Sequence, residues 1–99
     1  MPELSRFLGI VIRRRFLHVI EATHLGGFRV RLRFDEGTEG EADLRAELTG
    51  EVFAPLHDPS YFASFRIDEG RTLSWPNGAD FAPEFLRDLV MRSSARAAV

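Results

Sequence analysis

The chain contains no cysteine, which excludes disulfides, thiolate nucleophiles, zinc ribbons and iron–sulfur ligation together. Lysine is missing as well. All thirteen basic residues are arginine, the usage of a GC-rich bacterial genome, so the arginines earn no functional weight from their identity alone. The apolar run at residues 7–12 is far short of the roughly 20 residues that span a bilayer. Its arginines (Arg13, Arg14, Arg15) follow it, the reverse of a secretory signal, so the expected compartment is the cytoplasm, with no membrane partner. A net charge of −2 gives no global basic field to attract nucleic acid. Internal repeats, low-complexity tracts and linkers are lacking too.

Core material is plentiful. Ninety-nine residues form one domain, and 44% of them are hydrophobic, including nine phenylalanines. A chain of this size buries roughly 60–65% of its unfolded surface, which this composition supports without staples.

Strict alternation over Phe28-Arg29-Val30-Arg31-Leu32-Arg33-Phe34 marks a strand with one buried face. Asp35-Glu36-Gly37 follows, and Thr38-Glu39-Gly40-Glu41-Ala42-Asp43-Leu44 alternates again. A three-residue loop with Gly37 left-handed joins the two as a hairpin. Charge sets the register: with Phe34 facing Thr38, Arg33 faces Glu39, Arg31 faces Glu41 and Arg29 faces Asp43. Val30 then meets Ala42, and Phe28 meets Leu44, on the apolar side.

Residues 9–12 and 16–22 are apolar and β-branched and read as strands, with Gly26-Gly27 as a turn. In residues 48–56, Leu48, Val52, Phe53 and Leu56 have roughly helical spacing, limited by Pro55 to a short helix or irregular turn. Residues 62–67 read as a strand with Ala63, Phe65 and Ile67 on one face. Asp68-Glu69-Gly70 is a second turn, leading to a strand at residues 72–75 that Pro76-Asn77-Gly78 stops. Asp80 is placed to cap a helix starting at Phe81, with Ala82, Phe85, Leu86, Leu89 and Val90 as its apolar stripe. The expected fold class is α+β: a small, mostly antiparallel sheet with a short helix and a C-terminal helix packed on one face. Residues 1–16 are expected as an N-terminal strand extension, 17–92 as the domain and 93–99 as a tail.

Sites for chemistry are sparse. His18, His24 and His57 have no metal-ligand spacing, no carboxylate lies in a long apolar run, and the serines lack a nucleophile elbow. Neither a catalytic residue, a metal site nor a cofactor is therefore expected. The stripe Arg29, Arg31 and Arg33 is answered by the acidic strand beside it, whereas Arg13-Arg14-Arg15 has no local answer. Trp75-Pro76-Asn77-Gly78-Ala79-Asp80 is the densest motif. It reads structurally as strand end, turn and cap, and functionally as an aromatic anchor beside a helix N-terminus.

Several of these segments also carry a family resemblance. Val19, Ala22 and Leu25, then Phe34-Asp35-Glu36-Gly37, Asp43-Leu44, Val52-Phe53-Ala54-Pro55-Leu56-His57-Asp58-Pro59, Phe62, and Thr72-Leu73-Ser74-Trp75-Pro76-Asn77-Gly78-Ala79-Asp80-Phe81-Ala82-Pro83-Glu84 occur in a familiar order. Together, over about residues 17–90, they resemble the bacterial domain-of-unknown-function family DUF2442. The resemblance implies a small α+β domain, often encoded beside a DUF4160 partner in pairs suspected of being toxin–antitoxin-like. It carries over no catalytic residue. The opening Met1-Pro2-Glu3-Leu4-Ser5-Arg6-Phe7-Leu8-Gly9-Ile10-Val11-Ile12 is itself similar to the start of DUF4160 proteins, without the paired histidines expected after it there.

The leading expectation is a non-enzymatic module that binds a protein partner or itself, through Ile10, Val11, Ile12, Arg13, Arg14 and Arg15 and through Trp75, Asn77 and Asp80. The alternatives are a nucleic-acid-binding regulator using Arg13–Arg15, and an enzyme with a cleft near Trp75 and Asp80.

Overall fold

The alternating segment folds as the middle strand of a three-stranded antiparallel sheet. The computed structural model of the protein describes residues 17–98. The expectations placed on residues 1–16 lie outside the described residues: the strand at 9–12, Ile10, Val11 and Ile12, the run Arg13, Arg14 and Arg15, and the second-family prefix. The sheet comprises β1 (Val19–Gly26), β2 (Arg29–Phe34) and β3 (Glu39–Asp43), in spatial order β1-β2-β3. Pairing Arg29 with Asp43, Val30 with Ala42, Arg31 with Glu41 and Arg33 with Glu39 reproduces the register expected from charge. At its closed end Phe34 N–H donates to the Thr38 carbonyl at 2.8 Å, and Gly37 takes φ 104°, a region open to glycine. Val30, Leu32, Phe34 and Ala42 are buried beneath the sheet.

The ion pairs differ from the facing pairs. Arg29 reaches Glu41 at 3.3 Å, Arg31 reaches Glu39 at 3.0 Å, and Arg33 turns to Glu21 on β1 at 2.9 Å. Sheet twist swings long arginine side chains toward the diagonal carboxylate. Asp43 is too short to follow and instead accepts the backbone N–H of Arg45 at 2.9 Å.

The strand expected at 16–22 begins at Val19 and continues to Gly26. Val19 stands opposite Phe34 but Glu21 opposite Arg33, and His24 opposite Val30 but Gly26 opposite Arg29. Ile20 and Leu25 are therefore surplus to pairing: β1 carries two bulges, each with a large apolar side chain 37% exposed.

Beyond β3 the chain makes two 3-10 segments, Arg45–Glu47 and Glu51–His57, then one helical turn, α1 (Pro59–Phe62). The strand expected at 62–67 is thereby cut to β4 (Arg66–Ile67), with Phe62 closing α1 instead. The cause is local. Asp58 accepts the Ser60 N–H at 3.0 Å as a cap, and Pro59 presets the first helical φ. β4 pairs with β5 (Leu73–Ser74) across a turn in which Arg71, φ 61°, takes the left-handed position.

The last helix, α2 (Pro83–Ala98), starts two residues later than expected and continues through the expected tail. Phe81 cannot join it, because its N–H donates to the Leu73 carbonyl at 3.4 Å and its carbonyl accepts the Thr72 hydroxyl. Asp80 accordingly caps nothing and bridges Ser74 through its backbone. Pro83 fits the first helical position, where a missing N–H costs nothing. Leu86 and Val90 are buried, Phe85 and Leu89 half-buried, and Ala82 precedes the helix, exposed. α2 crosses β3 where it is thinnest: a Cβ on Gly40 would lie 2.9 Å from Val90 Cγ1.

Candidate functional site

Two segments distant in sequence are clamped together by Asn77. Its Oδ1 accepts the Ala79 N–H at 3.1 Å, an Asx turn, while its Nδ2 donates to the Val52 carbonyl at 2.8 Å. The loop that holds it is closed by hydrogen bonds between Trp75 and Ala79 and between Gly78 and Trp75, both 2.9 Å, with Gly78 at φ 92°. Trp75 is 3% exposed, and its indole N–H donates to the Phe62 carbonyl at 2.8 Å. Its ring therefore belongs to the core, while Asn77 and Asp80 remain exposed.

The clamp creates a stack of rings. Phe53 lies on Phe81 (centroids 4.8 Å apart, planes 16° apart), and Phe81 lies on Phe85 (5.7 Å, 18°). Trp75 meets Phe81 edge-on at 5.9 Å. Phe81 is nearly buried, Phe53 and Phe85 are half-buried, and Val52 is 49% exposed, with Pro76 and Ala82 exposed nearby in sequence. The outer side of this junction is an apolar, aromatic face. Its sequence neighbours Glu51, Asp80 and Glu84 are exposed, and none forms an ion pair among the described residues. Sequence reasoning named Trp75, Asn77 and Asp80 but missed Val52, Phe53, Phe81 and Phe85. The signal available was the recurrence of phenylalanine in both motif segments.

The arginines of β2 are answered by carboxylates of the neighbouring strands. On the sheet face, the hydrogen bond and charge of Arg33 hold the Glu21 carboxyl below its ordinary value, and Glu21 in turn raises the arginine. Across residues 17–98, nine arginines stand against fourteen carboxylates, so the domain body is acidic. A groove of about 330 Å³ lies between α2 and the first 3-10 segment, lined by Asp43, Arg45, Glu47, Leu89 and Arg92 among others. Three of its polar residues are engaged locally: Arg92 with Asp88 at 2.6 Å, Arg45 over the Phe28 ring at 4.9 Å, and Asp43 with the Arg45 N–H. Among the described residues no group of His, Asp and Glu is placed to hold a metal ion, and no helix is long and apolar enough to cross a membrane.

Against known proteins, residues 19–91 match the profile of a family described as "Protein of unknown function (DUF2442)". The prefix likeness falls outside that match. No curated protein matches the chain. Among solved structures, the fold is similar to that of a crystal structure described as "Putative DNA Binding Protein" from Nitrosomonas europaea, at 20% identity and a TM-score of 0.70. The alignment covers 80% of this chain and 52% of that one, so this chain spans about half the length of that protein.

Proposed function

The chain belongs to the DUF2442 family, and we propose that it acts as a non-enzymatic, cytoplasmic protein-interaction module. It docks a partner on the face built by Val52, Phe53, Phe81 and Phe85. The single observation that carries this reading is the half-exposed ring stack, ringed in sequence by Glu51, Asp80 and Glu84 on an already acidic body. Aromatic anchors with a charged rim are the usual energetic core of a protein interface. The chemistry selects a partner segment that is apolar on one part and basic on the next. Asn77 positions the face rather than touching the partner, because both ends of its amide already hold backbone.

A second reading is nucleic-acid binding through Arg13, Arg14 and Arg15, supported by the fold's likeness to the Nitrosomonas protein. Against it stand the acidic body and the ion-paired arginines of the sheet, which leave little positive field for a phosphate backbone. The likeness covers only about half of that protein and does not say which half meets DNA.

The test is capture by the tagged full chain from native lysate, eluted at low and high salt, beside a V52E/A82E variant. Both substituted residues are exposed, so the core is untouched. The expected result is a stoichiometric protein that survives high salt and is lost with the variant. Nucleic acid released by salt, or a cargo indifferent to V52E/A82E, would overturn the docking reading.

A further inference from the structure

The chain carries a single side-chain amide. It has no glutamine and one asparagine, Asn77, and a glycine follows that asparagine directly. The peptide nitrogen of a glycine, unshielded by a Cβ, is the backbone nucleophile that an asparagine side chain meets most easily. Asn77 and Gly78 are both exposed, and a Cβ built on Gly78 would have no atom within 4 Å, so the peptide between them is open to water.

The hydrogen bonds around Asn77 bear on the reaction of these two groups. The Asx turn folds the side chain over the peptide that follows it, which brings Cγ toward the Gly78 nitrogen. The Ala79 N–H, 3.1 Å from Oδ1, is placed to stabilise negative charge as it gathers on that oxygen during attack. One bond opposes the attack: the Gly78 N–H donates to the Trp75 carbonyl at 2.9 Å and must be released first. It belongs to an exposed loop, where local opening is easiest.

We infer that Asn77 converts itself to aspartate and isoaspartate in the folded protein, and that the product unfastens residues 50–54 from the loop at Trp75–Ala79. The Gly78 nitrogen gives its proton to hydroxide and bonds to Cγ. The Cγ–Nδ2 bond breaks, and ammonia leaves with a proton from water. Water then opens the cyclic imide. Breaking the new bond at Cγ gives aspartate, whereas breaking the original Asn77–Gly78 peptide bond gives isoaspartate, whose backbone runs through Cβ and Cγ. Nothing is oxidised or reduced, and water is the co-reactant. Either product lacks the Nδ2 donor, so the Val52 carbonyl, which accepts from it at 2.8 Å, then faces a carboxylate. Isoaspartate also lengthens the loop by a methylene, against the bond that the Trp75 N–H makes to the Ala79 carbonyl at 2.9 Å. Phe53, next to Val52, thereby loses the tie that seats it on Phe81. That ageing removes the docking face rests on the docking reading; the conversion itself does not.

Ageing the full chain in heavy-oxygen water, followed by peptide mapping, tests this, with the urea-unfolded chain as reference and Trp75 fluorescence to show that the aged chain is folded. The expected result is label at residue 77 in both the aspartate and the isoaspartate peptide. Hydrogen exchange at residues 50–54 is expected to be about tenfold faster in the aged fraction, and likewise in Asn77→Asp, which keeps the acceptor for Ala79 and loses the donor to Val52. Three results would overturn the inference: an Asn77 that stays intact in the folded chain while the unfolded chain converts, aspartate without isoaspartate, or exchange at 50–54 unmoved by conversion. A partner lost with V52E/A82E beside an intact Asn77 refutes the conversion and leaves the module. Conversion that loosens residues 50–54 in a chain with no face-dependent partner refutes the module and leaves the conversion.

Discussion

Replacing Gly40 with alanine isolates the seat of α2 on the sheet. Gly40 lies on β3 opposite Leu32, and its φ of 159° stands at the edge of the region that L side chains rarely adopt, so the substitution adds a backbone cost to a steric one. The steric part is the one that a second substitution can relieve. The new Cβ would lie 2.9 Å from Val90 Cγ1, and Val90 is 1% exposed with nowhere to retreat. Overpacking of this kind costs about 1–3 kcal/mol. The loss of glycine's freedom in the unfolded chain offsets roughly 0.5–1 kcal/mol of it. A net destabilisation of about 1–2 kcal/mol follows, a fall in Tm of roughly 4–16 °C for a domain of this size. Urea unfolding followed by Trp75, the chain's one tryptophan, reads it directly. Val90→Ala alone removes buried methyl groups and costs about 1–3 kcal/mol, but in combination with Gly40→Ala it makes room for the added methyl. The double variant is expected to be more stable than the sum of the single losses by about 1 kcal/mol or more. Additive losses would refute the claim that helix and strand meet at this point.

Three further expectations concern other ties in the fold. Asn77→Ala removes the bonds to Val52 and Ala79 and is expected to cost about 1–3 kcal/mol, with faster exchange at residues 50–54; unchanged exchange there would deny the clamp. Trp75→Phe leaves the Phe62 carbonyl without its indole donor inside the core and is expected to lower stability by about 1–3 kcal/mol, measured as the shift in urea midpoint. Glu36 is held below the usual carboxylate range, chiefly by hydrogen bonding from Thr38 and then by Arg87. A depressed folded-state pKa adds stability above the unfolded value, near 4.3, which is lost as pH falls through the folded value. Glu36→Gln should therefore weaken the protein at neutral pH and converge with the wild type in acid; a gap independent of pH would count against that assignment.

The β2–β3 hairpin was legible because alternation and charge specify the same register, and a one-residue slip violates both. The direction of its ion pairs was not, since period-two reasoning contains no twist. Asp80 looked like a cap by residue type, yet Thr72 and Leu73 hold the backbone of Phe81 outside the helix, a tertiary contact invisible to local pattern. Likewise Asp58-Pro59 overrode the alternation of Ala63, Phe65 and Ile67 and turned Phe62 into a helix end. The docking face is legible only in pieces: Val52-Phe53 and Phe81–Phe85 each resemble ordinary core, and their stacking depends on one amide of Asn77 reaching across 25 residues.

The bulges of β1 bear on how copies of this molecule meet. Eight residues of β1 run beside six of β2, so the ribbon bends toward its shorter member and the outer rail of β1 loses its even spacing. A second strand laid along it would fall out of step within a few residues. On the opposite rail, β3 presents Glu39 and Glu41, which are tied to arginines of β2, and charged side chains along an edge discourage a further strand. Among the described residues both borders of the sheet thus discourage continuation, and crowded copies gain little from these edges by lining up into fibrils. Encounters are left to broad surfaces, where a few aromatic side chains decide who stays.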